Sequence, residues 1–127
     1  MPTVLITPRL ILKPRLVAGI HRMAVEVTEP VGITPPRSMV SVSGMVLLVT
    51  RNNNENCYLE VQQSPDLWTW DTVNGPKGAL LPNSPAPFDV SGIEIDMPYA
   101  RLRYIMRGVI LEETHWVLQA TLNTGWK

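Results

Sequence analysis

Charge and cysteine are both scarce in this sequence, and so are the patterns that announce chemistry. The 127 residues include a single cysteine, Cys57. One thiol cannot build a disulfide framework or a cysteine-based metal cluster. At the head of a strand-like segment it reads as a small buried hydrophobe. There are two histidines, His21 and His115, neither near a Gly-x-Ser-x-Gly elbow and without the pair spacing that zinc needs. No phosphate-cradling or dinucleotide-binding glycine motif occurs. Asp66, Asp71, Asp89 and Asp96 are too scattered for a calcium loop. The adjacent acids Glu112 and Glu113 fall in an expected hairpin turn and would point apart. The expectation is a protein that is not an enzyme and holds no cofactor or metal.

Charged residues make up 17% of the chain, with eleven basic side chains balancing eleven acidic ones. A balanced chain projects no global field, so neither nucleic acid nor a membrane surface is an expected partner. The low charge has two readings. Either a partner covers part of the surface, or a β-rich chain has used Thr, Ser and Asn instead. Long apolar runs are missing too: nothing approaches the roughly 18 residues that span a bilayer as a helix. Pro8 and Pro14 break up the start of the chain, so no signal peptide is expected. The chain reads as soluble and made in a reducing cytoplasm.

Helical periodicity is absent as well, and alternation takes its place. Met23, Val25 and Val27 share one face, opposite Ala24, Glu26 and Thr28. Val40 and Val42 alternate with serines before Gly44, which is read as a bulge. The run Met45 to Val49 then looks buried on both faces. Leu59 and Val61 oppose Tyr58, Glu60 and Gln62. Leu102, Tyr104 and Met106 oppose Arg101, Arg103, Ile105 and Arg107. Trp116, Leu118, Ala120 and Leu122 oppose His115, Val117, Gln119 and Thr121. Twelve prolines and frequent turn residues punctuate these segments. Seven or eight strands of this kind predict an all-β fold, an antiparallel β-sandwich or jelly roll.

Two further segments are candidate contact regions. Residues 1–16 read as an extended arm preceding a sandwich domain of residues 17–127. The arm is basic yet too apolar for a free tail. Its candidate partner-binding residues are Leu5, Ile6, Arg9, Leu10, Leu12, Lys13 and Arg15. It could cover an edge strand of its own subunit or of a neighbour. Residues 74–88 form a long Pro/Gly loop, and loops of that length usually serve a purpose. Lys77, Leu80, Leu81 and Phe88 are its candidate contacts.

The stretch YLEVQQSPDLWTWDTV, residues 58–73, places Trp68, Trp70 and Thr72 on one expected strand face. Flat aromatics beside polar groups can stack sugars, but in so small a sandwich they more often fill the space between sheets. The arginine row of residues 101, 103 and 107 is expected to pair with acids on an opposed strand, for example Glu94 and Asp96, in preference to the alternative of a phosphate or carboxylate surface. A strand, a Ser-x-Asp turn, a nearby Trp and a later Ala-Arg-aliphatic-Arg-aromatic strand, here ARLRY at 100–104, form a recurring pattern. Over residues 56–107 the chain resembles discoidin-type sandwiches and, more closely, small β-sandwich virion proteins of tailed bacteriophages. It departs from the pattern at Asp66-Leu67, where Asp-Gly is common, and in its proline loop.

Alternation makes Trp116 and Leu118 core, while the resemblance implies that Trp68, Trp70 and the strand with Leu102 and Tyr104 are scaffold, with a subunit interface as the alternative place for one of the two tryptophans. The resemblance also implies a capsid decoration (cement) protein on the outer surface of the head. Such a protein would bind the major capsid protein and itself, as a homo-oligomer, commonly a trimer. A lectin-like carbohydrate-binding module and a neck or tail accessory subunit are the alternatives.

Overall fold

The computed structural model describes residues 3–12, 15–17, 21–23, 25–33, 38–50, 56–76, 78–107 and 115–124. These contain twelve strand segments and no helix. In chain order they are β1 (Thr3–Leu12), β2 (Arg15–Val17), β3 (His21–Met23), β4 (Val25–Val27), β5 (Val31–Gly32), β6 (Ser38–Thr50), β7 (Asn56–Ser64), β8 (Asp71–Thr72), β9 (Ala79–Leu80), β10 (Ala86–Ile95), β11 (Tyr99–Arg107) and β12 (His115–Thr124).

One sheet has the order β1-β12-β6-β10. The other has the order β4-β11-β7-β8, with β5 beside β11 and β9 beside β7. β2 and β3 form a separate short ribbon. Every pairing is antiparallel. The two larger sheets pack face to face as a β-sandwich. From the first sheet, Leu12, Val40, Val42, Val46, Ile93, Ile95, Trp116, Leu118, Ala120 and Leu122 enter the core. Cys57, Leu59, Val61, Ala100, Leu102, Tyr104 and Met106 meet them from the second. Alternation explains the assignment, because successive side chains of a strand point to opposite faces and only one face of each sheet meets the other.

Tight packing shows at Gly44 in the middle of β6. It lies opposite Phe88 on one side and Ala120 on the other. The Phe88 ring covers it, so that an added Cβ would collide with that ring and with the Gln119 carbonyl. Gly44 is therefore a place of close approach, not the expected bulge. The bulges in the pairings of β6 lie elsewhere, at Leu47 against β12 and at Ser91–Gly92 of β10. Gly92 has a φ of 71°, the left-handed backbone such a bulge favours.

Two other expectations change, and for the arm the own-subunit alternative is the one found. The run Met45–Val49 is not buried on both faces. Val46 is buried, whereas Met45 and Leu48 are exposed, because they lie on the side of β6 that faces away from the second sheet. The residue 74–88 segment is not a plain loop, since it carries β9 and the start of β10. The N-terminal arm, over Thr3–Leu12, is the outer strand of the first sheet, paired with β12 of its own chain from Thr3 opposite Asn123 to Leu12 opposite Trp116.

Candidate interaction site at the Trp68 turn

β7 ends at Ser64, and the next five residues, 65–69, are all exposed. Their shape comes from two side chains. The Ser64 hydroxyl oxygen accepts from the backbone N–H groups of Asp66 (3.1 Å) and Leu67 (2.8 Å). The Ser64 hydroxyl donates to Asp66 Oδ1 at 3.2 Å. That same carboxylate oxygen accepts the N–H groups of Trp68 and Thr69, each at 2.9 Å. The Thr69 and then the Trp68 N–H bonds hold the Asp66 carboxyl below its ordinary pKa, because they favour the ionised form. Leu67 adopts a φ of 70°. A non-glycine residue there costs about 1–2 kcal/mol, so the surrounding hydrogen bonds must hold it in place. Trp68, the next residue, is 88% exposed.

Behind the turn a polar ladder covers the outer face of the second sheet. Trp70 Nε1–H donates to the Leu67 carbonyl at 3.2 Å. The Arg101 guanidinium lies 4.1 Å from the centre of the Trp70 ring, a cation–π geometry. Arg101 Nε donates to Gln62 Oε1 (2.8 Å), and Gln62 Nε2 donates to Thr72 Oγ1 (3.2 Å). The Thr72 hydroxyl donates to Glu60 Oε1 at 3.4 Å, and Arg103 Nη1 reaches the same oxygen at 2.6 Å. Glu60 is almost fully buried while the Arg103 side chain is 28% exposed. Burial, and then the charge of Arg103, lower the Arg101 pKa, and Arg101 remains a cation.

The sequence-derived residues distribute as follows. Leu102, Tyr104, Trp116 and Leu118 are buried in the core, and Trp116 Nε1–H donates to the Pro82 carbonyl at 3.3 Å. Trp68 is a correction. It is neither core nor on a strand face, because β8 begins only at Asp71 and Trp68 rides the turn before it. Trp70 is half-buried outside the core, under Arg101.

Leu12 and Leu81, expected to face partners, are buried core residues. Leu10 and Phe88 pack against that core. Pairing explains each: Leu10 and Leu12 lie on β1 beside β12, Phe88 lies on β10 opposite Gly44 of β6, and the Leu81 N–H donates to the Cys57 carbonyl at 2.9 Å, which ties that segment to β7. Leu80 is exposed. For Leu5, Ile6, Arg9 and Arg15 the backbone alone is described, and Lys13 and Lys77 lie outside the described residues.

Arg101 and Arg103 do pair within the protein, but with Gln62 and Glu60, not with Glu94 and Asp96. β7 is the neighbour of β11, whereas β10 lies in the other sheet. The matching two-residue spacing of Glu60 and Gln62 was the signal available for this. Among the described residues, no group of three or more His, Cys, Asp or Glu side chains could hold a metal ion, and no helix is long and apolar enough to cross a membrane.

Comparison with protein-family models finds no match. Comparisons with curated proteins and with solved structures find none either.

Proposed function

We propose that this chain is a structural virion protein, a bacteriophage capsid decoration (cement) subunit that works by binding protein surfaces on the assembled head. The sandwich and the 58–73 and 100–104 patterns support the virion class through resemblance. The observation that carries a protein-binding role is Trp68, an almost fully exposed indole on a turn already locked by Ser64 and Asp66. Tryptophan is enriched among the residues that dominate protein interfaces, and a pre-shaped turn loses little freedom on binding.

The lectin-like alternative draws on the same indole. A sugar, however, needs converging polar groups as well as a ring. Here the Gln62 amide is used at both ends, and Glu60 and Asp66 are engaged inside the protein. Beside the exposed Asp66 and Thr69, the turn presents Leu67 and Trp68 as an exposed apolar pair, which suits a pocket on another protein.

The test is co-sedimentation with heads of the cognate phage assembled without this protein. Trp68→Ala should fold as the parent does by circular dichroism. Its affinity should fall roughly thirty-fold, the loss of about 2 kcal/mol typical of such anchors. Unchanged affinity in the variant, or no sedimentation of the parent, would overturn the reading. Saturable binding of a soluble oligosaccharide that Trp68→Ala abolishes would put the lectin-like module in its place.

A further inference from the structure

The first sheet has a second surface, independent of the Trp68 turn. Its two central strands, β6 and β12, contain 13 and 10 residues, and not one is Asp, Glu, Lys or Arg. Buried β-strands often read this way, yet several described side chains on the outer face of this sheet are exposed. Ile11, Val117 and Leu48 align across β1, β12 and β6, and Gln119, Met45 and Pro87 form the next row across β12, β6 and β10. Ile11 is 52% exposed, Leu48 47% and Met45 38%. Beyond these rows come Thr121 beside Ser43 and Asn123 beside Ser41. Among the described side chains, charge returns at the border, at Asp89 and Glu94 of β10. An uncharged centre with a charged border is the anatomy of a protein interface, where depletion of charge at the middle is the distinguishing mark.

We infer that this face packs against the same face of a second copy of the chain. Three features select that occupant. Extension of the sheet through its edges is obstructed: outer strand β1 carries Pro8 and a bulge between Thr7 and Leu10, and outer strand β10 carries Pro87 and the Ser91–Gly92 bulge. Association must therefore use the face. A two-fold pair also brings each surface against itself, which a centre free of formal charge permits without like-charge repulsion. An axis through the Leu48–Val117 row sets aliphatic side chains on aliphatic ones.

The area fits as well. Four strands about 4.8 Å apart and about ten residues long, at roughly 3.3 Å per residue, cover on the order of 600 Å². Two such faces together bury on the order of 1,200 Å², the lower bound for a specific stable interface. The paired sheets would lie about 10 Å apart, as in any sheet-on-sheet packing.

The deciding experiment is size-exclusion chromatography with light scattering on the full chain over a hundred-fold concentration range, with Leu48→Lys and Met45→Glu beside the parent. Both positions are exposed, so circular dichroism should show an unchanged fold. If either variant melts early, the other reads the same contact. The expected result is a dimer that both folded variants reduce to a monomer. Co-sedimentation with undecorated heads, run on the same variants, separates this inference from the proposed function: loss of the dimer with head binding kept supports the pairing whatever Trp68 does. A parent that stays monomeric at the highest concentration, or an oligomer that neither variant disturbs, overturns it. So does a variant that keeps the dimer and loses the head.

Discussion

Cys57 shows how completely burial can govern a residue. Its thiol sits in the core between the sheets, and desolvation alone pushes its pKa from 9.0 up to about 12. The nucleophile in thiol chemistry is the thiolate. In the folded protein at neutral pH, Cys57 should therefore not react with an aromatic disulfide reagent, and should react fully once denaturant is added. The pH dependence follows in sign. Between pH 9 and about 12 the unfolded chain has released this proton while the folded chain keeps it, so stability falls as pH rises through that window and is undiminished below it. A denaturant titration repeated across alkaline pH measures the slope; a thiol that titrates near 9 in the folded state would contradict it. The tryptophans teach the same lesson. Trp68 and Trp116 are the same residue type with opposite roles, one in solvent and one in the centre of the core.

At the scale of an element, the free side of β7 is assembled from fragments. β8 pairs only with Gln62 and Gln63, and β9 only with Tyr58 and Leu59. Asn74 bridges the gap between them. Its Oδ1 accepts the Val61 N–H at 3.0 Å, and its Nδ2 donates to the Leu59 carbonyl at 2.9 Å. The Val73 N–H completes the row by donating to the Val61 carbonyl at 2.8 Å. A side-chain amide thus imitates a piece of strand. Asn74→Ala would leave both backbone groups without these partners, at about 2 kcal/mol in total. The melting temperature should drop by several degrees, and the Val61 amide should exchange with deuterium much faster than its neighbours in β7. In the sequence, Asn74-Gly75-Pro76 is legible as a turn, but nothing local reveals that its first side chain completes a sheet edge.

At the scale of the whole molecule, β1 matters most. The arm is apolar because Leu12 is a fully buried core residue and Leu10 packs beside it, while the strand covers the flank of β12. Deleting residues 1–12 would remove Leu12, a loss of about 2–5 kcal/mol for a buried leucine alone, and would open the edge of β12 from Trp116 to Asn123 to solvent or to other chains. The truncated protein should be unfolded or aggregated, as judged by thermal melting and light scattering. A folded truncation melting within a few degrees of the parent would show that β1 is an appendage and would restore it as a free contact arm.

The alternating pattern by itself determined that the fold is all-β and which side of β11 and β12 turns inward. Leu102, Tyr104 and Met106 in β11, and Trp116, Leu118, Ala120 and Leu122 in β12, are legible from spacing because the two-residue period of a strand is local. Only the tertiary structure decided which strands become neighbours. That choice gave Arg103 its Glu60, made Leu12 and Leu81 core, left Trp68 on an exposed turn, and set two uncharged strands side by side in one sheet. The physical reason is that strand pairing joins segments far apart in the chain, so a residue's partner and its exposure depend on contacts that no local window of sequence contains.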